Sequence, residues 1–317
     1  MSSKTRKVGI IGLGHVGAHC AYSLAIQGYV DELVLVDVNE KKVISECQDL
    51  RDAVMYMPHH VKVEIASYED LGDCDIIVNA AGNIGLLTSL DRNAEMNFTV
   101  AQVKKYIGKV MQSGFQGIII NITNPCDVVT DVIAKMSGLP QGRVFGTGTG
   151  LDTSRLLAQL SLQTGIDHQS ISAYMIGEHG KSQITAWSCV NFGGVPLATL
   201  AQQDERFRFD KEEIQEKAIG GGWITYVGKG CTEYGICSTL ARFVRAVFHD
   251  EKRIMPASAM LTGEYGEQGI FVGVPCIIGK DGVEKVIELP LNAEEKAAFH
   301  TCCDDIRINM KKAENIN

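Results

Sequence analysis

His179 is the side chain in this 317-residue sequence best suited to moving a proton at neutral pH. It stands in a turn, Gly177-Glu178-His179-Gly180, and a histidine in a turn is usually just solvated. Asp152 and Arg155 give it context. They lie three apart in the first turn of a predicted helix over Leu151–Gly165, so they share a face. Taken singly they read as an N-terminal carboxylate and a surface base. Taken with His179 they read as chemistry. A carboxylate beside an imidazole fixes its tautomer and stabilises its charged form. A guanidinium offers a substrate carboxylate a planar, bidentate partner. Arg92, at the start of another predicted helix, adds a second cation for a developing oxyanion. The set fits interconversion of a carbonyl and an alcohol in a small carboxylic acid, given a source of hydride.

The hydride points to the stretch that must position everything else, VGIIGLGHVG over Val8–Gly17. An apolar run, Val8–Ile11, breaks into Gly12, Gly14 and Gly17, with Val16, Cys20 and Leu24 following at helical spacing. That order predicts strand, tight turn and helix. Gly12 allows the turn, Gly14 lets a pyrophosphate approach the backbone, and Gly17 lets the helix pack on the sheet. Residues Gly12, Gly14, His15, Val16 and Gly17 then form a phosphate cradle at a helix N-terminus. A second apolar run, Leu33–Val36, ends in Asp37, twenty residues after Gly17. A carboxylate there accepts the ribose hydroxyls of NAD and repels the 2′-phosphate of NADP. A plain βαβ unit with an acidic turn is the alternative.

The rest of the first half continues the pattern. Glu40–Val54 reads as a helix and Val61–Ile65 as a short strand. DIIVN over Asp75–Asn79 reads as a buried parallel strand running into Ala80-Ala81-Gly82, where Gly82 leaves room for a dinucleotide across the strand ends. Asn83–Asp91 is a leucine-rich loop that either packs permanently on the body or closes over a ligand. GIIINIT over Gly117–Thr123 is another buried strand, and Asn124 follows it at the same crevice, with Pro125 starting a helix. Arg143–Gly146 completes six strands, which sets a dinucleotide-binding domain over 1–146 and a substrate domain over 147–317. In the second part Ser170–Ile176 and Ile184–Asn191 read as strands, Lys211–Val227 and Gly235–Phe248 as helices. Ile254–Leu261, Gly269–Ile278 and Val283–Glu288 read as an antiparallel meander, and Asn292 caps a final helix. The predicted fold class is α/β: a doubly wound parallel sheet followed by an α+β catalytic domain.

Composition narrows the partners. With 45% hydrophobic and 21% charged residues the chain is an ordinary globular sequence. Its net charge of −8 disfavours nucleic acid and anionic membranes. No apolar stretch nears the length of a span. Ten cysteines lack CxxC or histidine-cluster spacing, which fits reduced thiols and a cytoplasmic protein better than a disulfide frame or a metal site. Lys4, Arg6 and Lys7 before an apolar run mimic a signal peptide, but that run is too short and the glycine motif uses it.

GIIGLGHVG, the Asp37 strand end, NITNP, GTGTGLDTSR and IGEHG are long, specific and ordered. By these the chain resembles the L-lactate/malate dehydrogenase family over essentially its whole length. The resemblance implies an NAD-dependent L-2-hydroxyacid dehydrogenase that assembles as a homotetramer or dimer. It implies His179 as proton donor and acceptor, Asp152 as its partner, and Arg155 as the clamp on the substrate carboxylate. Arg92 takes the part of the lid arginine that polarises the carbonyl. Asn124, preceding a cis proline, hydrogen-bonds near nicotinamide and substrate. Thr232 lines the substrate pocket and Ile236 touches the nicotinamide ring. The loop departs from two branches: it lacks the Pro-Gly pair of lactate dehydrogenases and the extra arginine of malate dehydrogenases. Gly82-Asn83-Ile84, Asp91-Arg92 with Ala94-Glu95, and the surroundings of His179 and Trp187 are similar to the L-2-hydroxyisocaproate branch. The expected substrate is therefore a 2-keto acid with an apolar, branched side chain, with L-lactate as the alternative. A catalytically silent NAD-binding protein is a more distant one.

Overall fold

The computed structural model describes residues 5–86 and 92–316, with the side chains of Ile84, Arg92 and Asn93 outside that description. The first half alternates strand and helix. In order these are β1 (Lys7–Ile11), α1 (His15–Ile26), β2 (Glu32–Val36), α2 (Glu40–Val54), β3 (Lys62–Ile65), β4 (Ile76–Asn79), α3 (Met96–Gln112), β5 (Ile118–Asn121), α4 (Cys126–Ser137) and β6 (Val144–Gly146). All the neighbouring strands in this set pair parallel. Strands β1, β2, β4 and β5 are mostly apolar and almost wholly buried, as strands covered by helices on both faces must be, whereas β3 at the sheet edge buries only Val63.

The second half opens with α5 (Gly150–Thr164) and four two-residue strands: β7 (Ile171–Ser172), β8 (Met175–Ile176), β9 (Ile184–Thr185) and β10 (Asn191–Phe192). After β11 (Val195–Pro196) come α6 (Leu197–Gln203), α7 (Lys211–Lys229), α8 (Tyr234–Phe248), β12 (Arg253–Thr262), β13 (Gln268–Gly279), β14 (Gly282–Val286) and α9 (Ala293–Glu314). Asn292 caps α9, accepting from the Glu295 N–H while the Glu295 side chain accepts from the Asn292 N–H.

The antiparallel meander forms as expected, and it joins the parallel sheet. Ser258 of β12 pairs with Gly146 of β6, so one nine-stranded sheet runs β14-β13-β12-β6-β5-β4-β1-β2-β3. A Cβ on Gly146 would lie 2.6 Å from Cys126 Sγ and 3.0 Å from Ser258 Cβ, so glycine is what lets the two strands meet. The segments read as single strands over 170–176 and 184–191 are instead interrupted. Thr149, just before α5, and Thr153 on it bond the backbone of Met175, and the Ser188 N–H donates to the Glu295 carboxylate on α9. These side chains take backbone groups that a continuous ladder would have used.

Candidate active site

The dinucleotide cradle is built by steric necessity. Gly12 has φ +91°, and a Cβ there would come within 2.7 Å of the Ala80 carbonyl oxygen. A Cβ on Gly17 would sit 1.8 Å from the Gly12 carbonyl oxygen. Around a Cβ on Gly14 there is open space, on the side from which a pyrophosphate would approach. No side chain caps the start of α1. Asp37 ends β2, and its carboxylate accepts N–H bonds from Leu13 (2.6 Å) and Asn39 (2.8 Å). It thus braces the glycine turn while lining the same crevice as Gly12, Gly14, Ala81 and Gly82. Tyr68 and Tyr106, stacked at 5.1 Å, form the far wall. These residues fit an extended dinucleotide.

His15, inside the glycine motif, faces Glu233 (3.3 Å) at the start of α8, with His19 at 3.9 Å and Lys229 at 2.5 Å from the same carboxylate. Burial alone would raise the Glu233 carboxyl, but the Lys229 ammonium and the two imidazoles hold it below its ordinary value.

At the other end of the crevice a second cavity gathers Val16, Asn124, Leu151, His179, Thr232 and Ile236. Four elements converge here. Asn124 precedes α4 across a cis bond to Pro125, Leu151 and Asp152 open α5, Thr232 and Ile236 flank the start of α8, and His179 comes from the turn after β8. His179 Nδ1 meets Asp152 Oδ2 at 2.5 Å, and Arg155 Nη1 meets Asp152 Oδ1 at 2.7 Å. Asp152, only 1% exposed, joins the imidazole to the guanidinium. With Nδ1 engaged, Nε2 is the nitrogen left to exchange a proton with a ligand. Gly221 of α7 lies against Arg155: a Cβ there would be 3.1 Å from Arg155 Cδ. Gly235 packs on Leu151, where a Cβ would come within 2.7 Å, so it serves helix packing and does not enlarge the pocket.

The loop remains partly outside this picture. Asn83–Leu86 turns on itself through Leu86 N–H to Asn83 O, and the Asn83 N–H bonds Glu95. Residues 87–91 and the Arg92 side chain lie outside the described residues, so the structure does not place the expected lid arginine. Among the described residues there is no His, Cys, Asp or Glu group able to hold a metal, and no helix is long and apolar enough to cross a membrane. None of the ten cysteines, all of them described residues, forms a disulfide.

Sequence reasoning passed over two features. A buried polar chain runs behind the crevice: Tyr106 Oη donates to Asn79 Oδ1, Asn79 Nδ2 to Asn121 Oδ1, and Asn121 Nδ2 to Thr130 Oγ1. Its signal was an asparagine ending each of two apolar strands. Asp127 was also missed. It accepts the His179 backbone N–H at 3.0 Å and the Ser258 hydroxyl at 2.6 Å. Burial pushes its carboxyl up to about 6 even though both bonds act to hold it down.

Comparison with known proteins agrees with this geometry. Residues 6–146 match the model for the lactate/malate dehydrogenase NAD binding domain, and 149–317 match that for the lactate/malate dehydrogenase alpha/beta C-terminal domain. An L-lactate dehydrogenase of Fusobacterium nucleatum is 42% identical over 302 residues, covering 95% of this chain and 94% of its own length. A lactate dehydrogenase from a Medee basin deep-sea metagenome library superposes with a TM-score of 0.93 at 33% identity, covering 98% of this chain and 100% of that one. The minor L-lactate dehydrogenase of Enterococcus mundtii, in its ligands-bound form, gives a TM-score of 0.90 at 34% identity, with 97% and 98% covered.

Proposed function

The chain belongs to the lactate/malate dehydrogenase family, and from that premise we propose that the hydroxy acid it oxidises is L-lactate, with pyruvate reduced in the reverse direction. The class of activity is NAD-dependent L-2-hydroxyacid dehydrogenase, on the matched cofactor domain and the relatives. Bound NAD supplies the two-electron chemistry by accepting or returning a hydride at its nicotinamide. The chain supplies binding, orientation and the proton. Arg155 holds the substrate carboxylate with the guanidinium edge not engaged by Asp152. Protonated His179 gives its Nε2 proton to the carbonyl oxygen in reduction, and neutral His179 takes it back in oxidation. Asp152 keeps the Nδ1 proton in place throughout. Asn124 and Thr232 shape the cavity, Ile236 backs the nicotinamide end, and Arg92 polarises the carbonyl from the loop.

The observation that carries the L-lactate reading is the run of L-lactate dehydrogenases at about 42% identity over nearly the full chain. It weighs against the expected branched-chain substrate. The second reading rests on the motifs shared with the L-2-hydroxyisocaproate branch around Gly82, Arg92 and His179. The residues of the His179 cavity are uncharged apart from His179 itself, so a second carboxylate on the substrate would lack a partner. Comparing kcat/KM for pyruvate, 2-ketoisocaproate and oxaloacetate tests both readings. Pyruvate ranking first supports lactate, 2-ketoisocaproate first supports the branched-chain acid, and oxaloacetate first refutes both. We further propose a homo-oligomer, dimer or tetramer, on the exposed Ile224 and Val227 of α7 and Met55 and Tyr56 beside α2. A monomer in sedimentation velocity would refute it.

A further inference from the structure

The turn carrying His179 is fixed residue by residue. Gly177 exchanges two backbone bonds with Gly273 of β13, each 2.9 Å. The Glu178 N–H points to Cys302 Sγ at 2.7 Å. The Gly180 carbonyl accepts from Gln183 Nε2 at 2.7 Å. These three anchors are neutral. The fourth, for the His179 N–H itself, is the Asp127 carboxylate, buried in the first turn of α4. A neutral acceptor would satisfy one N–H and one hydroxyl at far smaller desolvation cost. A carboxylate at this point therefore needs a reason beyond tethering.

Resting on the reading of His179 as the proton donor, we propose that Asp127 is a positioning residue for it. The carboxylate holds the His179 backbone so that Nδ1 meets Asp152, and its negative charge favours the imidazolium that must form in each turnover. The titratable groups facing Asp127 are Glu178 and His179 of the turn, the thiol of Cys126 on α4, and those of Cys302 and Cys303 on α9. Of these only His179 carries positive charge, and it holds the Asp127 carboxyl down. A negative charge beside an imidazole favours its charged form, which is the form the proton donor needs. Glu178, of like charge, opposes ionisation of Asp127. Asp127 also stands three residues after Asn124, so one side chain ties the substrate-facing asparagine, the proton donor and β12 through Ser258 into one frame.

Asp127→Asn keeps the size and removes the charge. Its amide also turns a donor toward either the His179 N–H or the Ser258 hydroxyl. The expected result is at least a tenfold loss of kcat for pyruvate reduction at neutral pH with NADH affinity within about twofold. In addition, the alkaline limb of kcat/KM moves to lower pH by about half a unit or more. Following the His179 ring by NMR in the NADH-free protein should show its titration moving the same way, and this readout needs no turnover. A loss of kcat with limb and ring titration unmoved would reduce Asp127 to scaffolding and overturn the proposal. If Asp127→Asn does not fold, Ser258→Ala decides. Losing that hydroxyl leaves Asp127 less ionised near neutrality, so both readouts should shift downward by a smaller amount, and no shift overturns the proposal. An unmutated protein inert toward every 2-keto acid would instead sink the dehydrogenase reading, leaving the NMR comparison still interpretable.

Discussion

Asp152→Asn isolates the pair on which turnover depends. In the native site one carboxylate serves two cations or donors at once, Oδ2 toward His179 Nδ1 at 2.5 Å and Oδ1 toward Arg155 Nη1 at 2.7 Å. An amide has one acceptor atom and one donor group, so it can serve only one of them. If its oxygen faces Nδ1, its NH2 confronts the Arg155 guanidinium and displaces it, which raises KM for the keto acid. If its NH2 faces Nδ1, that nitrogen becomes an acceptor and can no longer hold a proton, so imidazolium cannot form. Removing one partner of a buried ion pair costs about 3–5 kcal/mol. At about 1.4 kcal/mol per tenfold this corresponds to roughly 10²- to 10⁴-fold in rate. The upper end is the scale known when the carboxylate behind a catalytic histidine becomes an amide. Loss of NADH absorbance with saturating pyruvate measures kcat, and quenching of NADH fluorescence measures cofactor affinity, which should stay within about twofold. Retention of more than about a tenth of kcat would refute the pairing as the source of proton transfer.

Three other outcomes are expected. Asp37→Ser should narrow the preference for NAD over NADP by removing a like charge from the site of the 2′-phosphate, read as the ratio of kcat/KM for the two cofactors; an unchanged ratio would contradict it. Gly17→Ala should abolish NADH binding or folding, because its Cβ would lie 1.8 Å from the Gly12 carbonyl oxygen; normal NADH titration would show that the turn yields more than the packing allows. Asp127 also predicts a pH dependence of stability. Its carboxyl is raised from 3.8 to about 6, so the folded chain binds that proton more tightly than the unfolded chain. This group's contribution to stability is therefore present below about pH 4 and lost as pH rises to about 6, by roughly 3 kcal/mol. Urea midpoints of the unmutated protein and Asp127→Asn across pH 4–7 should differ by that slope, and parallel curves would refute it.

The parts of the site legible in the sequence were those that local chemistry dictates. Glycines at 12 and 17 are forced by backbone contacts of a strand–turn–helix, and Asp37 by the end of the next strand. Asp152 and Arg155 could be placed on one face because helical spacing alone does that, and the structure adds that His179 reaches the same carboxylate. What stayed hidden depends on distant partners. Asp127 sits fifty-two residues before His179 and 131 before Ser258, and nothing local marks it except a carboxylate in an apolar helix. The joining of β12 to β6 likewise rests on two small residues, Gly146 and Ser258, far apart in the chain. Gly235 was legible only as the start of a helix, and its purpose needed the Leu151 side chain to be seen. The branched-chain expectation came from motifs around Gly82, Arg92 and His179, and the relatives do not lend it weight.

The most direct measurement is a single-turnover comparison of the unmutated protein and His179→Asn, each preloaded with NADH and mixed with pyruvate. The unmutated protein should oxidise its bound NADH within the mixing experiment. The variant should bind NADH with affinity within about twofold and transfer hydride at least about a thousandfold more slowly, since the proton donor is gone and the cradle is intact. Comparable hydride transfer in the two proteins, with NADH bound equally, would contradict the assignment of His179 as the proton donor.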